Sequence, residues 1–326
     1  MLAGIFATKP GDAGEAHPAV ARLAHRVEWL APGTPAEQGR AIVARLAGTS
    51  IDGVHGYFAH APAEVAECAA ALLAVPFGFS THARDARKVD RQTLAERAHR
   101  AACVVACNED VAGELGLAAA LAQIVPHGVD LDRFTPSAPP AGPPLRLLAV
   151  GRLVEKKGFD VLVDALSLVD DGFTLRIVGD GPGREALAER IRDRGLAHRV
   201  TLVPSRTHAE MPSEYAAAHI VVVPSVVDAT GDRDGLPNVV LEALASGRPV
   251  IATRVGAIES AVRNGETGLL VSPRVPRAIA DALSALGNDP TRRASLGRSG
   301  RRLVEREYDL AACSNRFASL LEHAYA

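Results

Sequence analysis

Aromatic side chains are scarce in this sequence: they make up 4% of its 326 residues and include a single Trp. The 48% hydrophobic content is therefore carried largely by alanine and small aliphatic residues. Cysteine is scarce too, and four in a chain of this length cannot staple a disulfide scaffold. Reduced thiols suit a cytoplasmic protein. An excess of positive charge is missing, since 36 Lys+Arg face 38 Asp+Glu for a net charge of −2. That balance excludes a nucleic-acid binder driven by counterion release. The longest apolar stretch, Ala69 to Phe79, is broken by Pro76 and falls short of the about 18 residues of a spanning helix. The start, Met1-Leu2-Ala3-Gly4-Ile5-Phe6-Ala7, lacks the basic residues of a secretory signal. Hydrophobicity this high with net charge this low also excludes a disordered chain.

What is present is an alternation of short apolar runs with helical periodicity. In the second half the runs Leu145–Val150, Thr174–Val178, Val200–Val203, Ile220–Val223, Val250–Thr253 and Gly268–Val271 read as strands. Between the first two, Phe159, Leu162, Val163, Leu166 and Val169 form one apolar stripe with Asp160, Asp164 and Ser167 facing away. Apolar strands alternating with helices predict a parallel sheet covered on both faces, a doubly wound Rossmann-like domain. The first half repeats the pattern at Arg26–Leu30, Asp52–His55, Pro76–Ser80, Cys103–Ala106 and Gln123–Val125, with helices near 36–47, 61–74, 91–100 and 109–117. Pro136–Pro144, with five prolines and a glycine, reads as a linker. Two α/β domains so joined predict a ligand cleft at the carboxyl ends of the strands.

Two segments carry candidate chemistry. Gly151-Arg152-Leu153-Val154-Glu155-Lys156-Lys157-Gly158 follows the first strand of the second half and places cations at its carboxyl end. A planar Arg fork and a mobile Lys charge suit a diphosphate, although a solvated loop has the same composition. In Asp234-Gly235-Leu236-Pro237-Asn238-Val239-Val240-Leu241-Glu242, Pro237 suits the first turn of a helix. That helix would aim unpaired N–H groups at an anion, while Asp234 and Glu242 accept hydrogen bonds from ligand hydroxyls. The bland alternative is a helix cap at Asp234 and a surface ion pair at Glu242.

Three further motifs are marked down. Gly179-Asp180-Gly181-Pro182-Gly183 has Arg184 where a dinucleotide fingerprint needs Gly, and reads as a tight turn. Asp232-Arg233-Asp234 has the spacing of a divalent-cation site, but cations at Arg152 and Lys157 already supply the countercharge. Cys103 and Cys107 lie in a Val-rich run with no second Cys pair, and read as a buried strand rather than a metal knuckle. His82, in Ser80-Thr81-His82-Ala83-Arg84-Asp85, ends a strand and is placed to touch a sugar hydroxyl or a phosphate; His55 and His60 are weaker candidates of the same kind. Pro126-His127-Gly128-Val129-Asp130 reads as a strand-ending turn.

The series Gly151-Arg152…Lys157-Gly158, Gly179–Gly183, Asp234-x7-Glu242 and Asn264-Gly265-Glu266-Thr267-Gly268-Leu269-Leu270 resembles the retaining glycosyltransferases of the GT-B fold, family 4 (group 1). The looser matches His55–His60, Ser80–Asp85 and His127-Gly128-Val129-Asp130 with Phe134 resemble members that build bacterial exopolysaccharides and related glycans. The resemblance implies two Rossmann-like domains facing a cleft: an acceptor-side domain over 1–137, a donor-binding domain over 138–308, and a terminal helix over 309–326 that packs back on the first. It implies a nucleotide-sugar donor, UDP- in preference to GDP-, a glycan, glycolipid or small-molecule hydroxyl acceptor, no metal or other cofactor, and a cytoplasmic, membrane-peripheral setting.

It implies roles as well. Arg152 and Lys157 hold the diphosphate, Glu242 the ribose and Asp234 the hexose hydroxyls, backbone from Gly235 through Leu236 and Pro237 to Asn238 touches sugar and phosphate, and His82 orients the transferred sugar. Asp234 replaces a commoner Glu, and Gly256-Ala257 a commoner Gly-Gly. Met1–Phe6 resembles the family's second strand, and Ala7-Thr8-Lys9-Pro10 and His17–Leu23 fit the positions just after that strand, so one βα unit is expected to be missing. A second reading is then a donor-binding module without efficient transfer; a GT-B epimerase or phosphorylase fits less well.

Overall fold

The computed structural model describes residues 2–6, 26–29 and 31–326. They form two compact units, residues 1–127 with 310–326 and residues 128–309. Each is built on a six-stranded parallel sheet. The first sheet contains β1 (Leu2–Phe6), β2 (Arg26–Trp29), β3 (Gly53–Gly56), β4 (Phe77–Thr81), β5 (Cys103–Ala106) and β6 (Ala122–Ile124), in the order β2-β1-β3-β4-β5-β6. The second contains β7 (Leu145–Val150), β8 (Phe173–Val178), β9 (Val200–Val203), β10 (Ile220–Val223), β11 (Val250–Thr253) and β12 (Gly268–Val271), in the order β12-β11-β10-β7-β8-β9. The expected α/β class and Rossmann-like winding are what the chain adopts. Segments 7–10 and 17–23 of the family resemblance lie outside the described residues; β1 itself is paired on both sides, with β2 and β3.

The alternating strand pattern sorts side chains into separate cores. Leu147 and Ala149 of β7 join Leu175 and Ile177 in one cluster, whereas Leu148 joins Val178, Val221 and Val223 in another on the opposite face. In the first unit Val104 and Ala106 pack with Phe79 and Leu94, while Cys103 and Val105 pack with Phe317, Leu321 and Tyr325 of the terminal helix Leu310–Tyr325. That helix therefore completes the first unit's core. The helix expected near 109–117 stops at Gly113, and a 3-10 turn, Gly116–Leu121, follows; Gly113 weakens the run. The proline segment 136–144 falls inside the second unit. Upstream of it Val129 already donates its N–H to the Tyr308 carbonyl (2.7 Å), and Phe134 is buried against Tyr215.

Room for the terminal helix is cut into the sheet. A Cβ on Gly53 would stand 2.3 Å from Tyr325 Cδ1, and one on Gly78 would stand 2.3 Å from the Tyr325 hydroxyl. That hydroxyl lies 2.9 Å from His55 Nδ1, and His55 Nε2 lies 2.9 Å from Ser80 Oγ. Burial holds the imidazole neutral and pushes its pKa down from 6.5 to about 3, with nearby His82 adding to the shift. His55 is therefore structural in this fold. A depressed native pKa means that the unfolded chain takes up the proton first. The contribution is complete above 6.5 and is lost as pH falls toward 3, at roughly 1.4 kcal/mol per pH unit. Urea melts between pH 7 and 4 should show this slope, and His55→Gln should flatten it.

Candidate functional site at the carboxyl edge of the second sheet

In the second sheet the chain winds one way through β7, β8 and β9 and the other way through β10, β11 and β12. Adjacent strands β7 and β10 thus mark the topological switch point, where such sheets bind ligands beyond their carboxyl ends. The segments singled out in the sequence come directly after these two strands. After β7, Leu153 donates its N–H to the Asp180 carbonyl (2.8 Å) and accepts from Gly183 N–H (2.9 Å), so the Gly179–Gly183 turn buttresses the loop. A 3-10 turn, Glu155–Lys157, ends at Gly158, whose φ of 62° is left-handed. A Cβ there would stand 2.0 Å from the Pro224 carbonyl oxygen just beyond β10. Val226 N–H bonds the Lys156 carbonyl at 2.8 Å, so the two loops are laced together.

This lacing sets the lysines over the acidic segment. Lys157 Nζ donates to both carboxylate oxygens of Asp234, at 2.9 and 2.8 Å, and Ser225 Oγ donates to Oδ2 at 2.7 Å. Lys156 Nζ bonds Asp232 at 2.9 Å and lies 3.9 Å from Asp234. Both members of the Asp-x-Asp pair thus carry a lysine partner. Asp234 is buried and is no helix cap; its helix begins at Asn238, after Pro237 as N-cap, and no side chain caps it. Its first N–H groups remain available to an anion. Pro237, expected inside the first turn, therefore stands just outside it. Ala257 N–H donates to the Gly235 carbonyl at 3.2 Å, which ties the Gly256-Ala257 loop to this segment.

Glu242 sits in the middle of the same helix, Asn238–Ala245, with a different set of partners. Tyr215 Oη donates to it at 2.6 Å, and His208 Nε2 lies 3.7 Å away. Burial raises its pKa above the ordinary 4.5, opposed by the Tyr215 and His208 contacts. Arg152 is exposed and, among the described residues, has no ion-pair partner. Ser225, Tyr215 and His208 were not singled out in the sequence. Ser225 had the best signal, standing two residues past the switch-point strand β10.

His82 belongs to the first unit, just beyond β4. Its Nε2 lies 3.1 Å from the Tyr57 carbonyl and its Nδ1 lies 2.8 Å from His127 Nε2. Both ring nitrogens are therefore taken, and the sugar-orienting role expected for His82 requires one of them to change partner.

The profile of the family described as "Glycosyl transferases group 1" matches residues 144–289. These residues span the switch point and every lysine and carboxylate placed there. The chain carries a group 1 glycosyltransferase domain. A GDP-mannose-dependent alpha-(1-6)-phosphatidylinositol monomannoside mannosyltransferase of Mycobacterium tuberculosis is 36% identical to it over 224 residues, 64% of this chain and 58% of the relative. The putative colanic acid biosynthesis glycosyltransferase WcaL of Escherichia coli is 33% identical over 200 residues, 60% of this chain and 49% of the relative. The chain thus spans about half to three-fifths of the curated relatives it matches. Anabaena Alr3699/HepE, solved in complex with UDP, superimposes with a TM-score of 0.83 at 18% identity over 99% of both chains, a likeness of fold. The group 1 domain and its partner unit have the GT-B fold.

Proposed function

We propose that the protein moves a sugar from a nucleoside-diphosphate sugar to a hydroxyl acceptor with retention of configuration, in the assembly of a bacterial glycan, glycolipid or glycoside. The observation that carries this reading is the Lys157–Asp234 pair over the β7/β10 switch point, beside an uncapped helix N-terminus. Breaking a glycosyl–phosphate bond builds negative charge on the departing diphosphate. Fixed cations and helix N–H groups bind that charge more tightly in the transition state than in the ground state.

Without donor, Lys157 and Asp234 satisfy each other, which offsets the cost of desolvating both. An arriving diphosphate competes for Lys157 and frees Asp234 to accept hydrogen bonds from the sugar. Arg152, exposed and without an ion-pair partner among the described residues, supplies a planar fork to the same phosphates. Departure from the same face that the acceptor approaches accounts for retention without a carboxylate nucleophile. The reading requires no divalent ion. Where the acceptor is lipid-linked, the protein works at a membrane surface; no helix among the described residues is long and apolar enough to cross one.

Glu242 gives this reading a pH signature. Its ionised form accepts from the nucleotide ribose, and its pKa is raised, so donor KM should climb on acidification at a pH above 4.5. Glu242→Gln should weaken donor binding about tenfold or more, the worth of one hydrogen bond to a charged group. The same substitution should raise the melting temperature at neutral pH, because a buried charge is removed, and the gain should vanish as pH falls through 4.5. A difference in melting temperature between the parent and Glu242→Gln that does not change with pH would contradict the assignment.

The deciding experiment is a screen of UDP- and GDP-sugars for nucleoside diphosphate release. UDP-sugars are the expected class, and the mycobacterial relative's name makes GDP-mannose the other arm. Binding without release to any acceptor would favour the donor-binding module instead, and binding of none would remove both readings.

A further inference from the structure

The first unit holds a second cluster, of which the transfer reading uses only His82. His82, Cys107 and His127 come after the adjacent strands β4, β5 and β6, so three consecutive carboxyl ends deliver one side chain each to the same point. One ligand atom from each lies within 4.8 Å of the others. We propose that these residues form a zinc site with three protein ligands and a fourth position open to water.

Four observations carry it. The donor set, two imidazoles and a thiolate, is that of a borderline-soft divalent ion such as Zn2+. His82 Nε2 is engaged by the Tyr57 carbonyl at 3.1 Å, which holds the ring proton there and turns the Nδ1 lone pair inward. Asn108 Nδ2 donates to Cys107 Sγ at 3.4 Å, a contact that favours the thiolate. Finally, Thr81 and the three ligands line a cavity of about 20 Å³, and the fully buried Thr81 hydroxyl has no hydrogen-bond partner among the described residues. That volume holds one water, which the hydroxyl would orient.

The His82–His127 nitrogens are 2.8 Å apart, and tetrahedral zinc with Zn–N of about 2.1 Å needs about 3.4 Å, so the rings part by about 0.6 Å. On binding, Cys107 loses its thiol proton to solvent. His127 exchanges its hydrogen bond to His82 for a bond to the metal, through Nε2 and with its proton on Nδ1. Cys103 takes no part. It faces the terminal helix, and burial pushes its thiol up to about 12.

The test is titration of the metal-stripped full chain with Co2+ as spectroscopic probe. One equivalent should produce a thiolate-to-cobalt charge-transfer band and tetrahedral visible bands, both abolished by one equivalent of Zn2+. Cys107→Ser should remove the charge-transfer band, Cys68→Ser should leave it intact, and His127→Gln should weaken binding at least about tenfold. Zn2+ should raise the melting temperature of the parent chain but not that of Cys107→Ser, each compared with its own metal-free melt. No charge-transfer band, or a band that survives Cys107→Ser, would overturn the site. Neither result depends on sugar transfer.

Discussion

Lys157→Ala should lower turnover at saturating donor by about two to three powers of ten, the usual effect of deleting one donor that stabilises a developing anion. Its stability cost should be smaller than its kinetic cost. Removing one partner of a buried ion pair commonly costs about 3–5 kcal/mol. Here, however, Asp234 keeps the Ser225 hydroxyl at 2.7 Å and has Lys156 at 3.9 Å, close enough to swing in. We therefore expect a loss below about 3 kcal/mol. Arg152→Ala should cost turnover of the same order with an unchanged melting temperature, because that guanidinium is exposed and has no ion-pair partner among the described residues. Measuring kcat and thermal melts on both variants separates the two effects. Near-normal turnover in Lys157→Ala would remove the diphosphate assignment.

Gly158→Ala should damage both stability and catalysis, although it adds a single methyl group. The left-handed backbone at 62° disfavours any Cβ by about 1–2 kcal/mol. The added atom also meets the Pro224 carbonyl oxygen at 2.0 Å, an overlap relieved only by parting the loops beyond β7 and β10. Overpacking of this kind adds about 1–3 kcal/mol, for a total of about 2–5. Lys157 is the adjacent residue, so the same shift should carry its ammonium away from Asp234 and lower turnover. Gly195→Ala is the control: its φ is 68° and nothing lies within 4 Å, so only the backbone penalty applies. Equal urea midpoints for the two variants would show that the Pro224 contact is unimportant.

The second unit was legible in the sequence because its strands are buried on both faces and appear as uninterrupted apolar runs. The loop through Lys157 and the segment through Asp234 were legible as cation-rich and acidic stretches beside a helix start. Their pairing was not, since Lys157 and Asp234 are 77 residues apart and meet only because β7 and β10 are neighbours. Strand order also hides the first unit's cluster. By spacing alone Cys107 belongs with Cys103, its neighbour in sequence, whereas the parallel sheet sets it beside His82 and His127. Tyr215 was invisible as a partner for Glu242 because a tyrosine just ahead of an apolar strand reads as core, and it serves as both.

The terminal helix has a consequence for biosynthesis. Phe317, Leu321 and Tyr325 close a core whose other members, Cys103, Val105 and Val125, leave the ribosome some 200 residues earlier. Throughout translation of the second unit, the first must therefore wait with that face uncovered and with His55 lacking its tyrosine partner. The second unit, contiguous from 128 to 309, is under no such delay. Domains usually finish in the order in which they are made. Here the half that begins first is completed last, and a chaperone bound to the nascent chain would find its natural target on the bare face of β5.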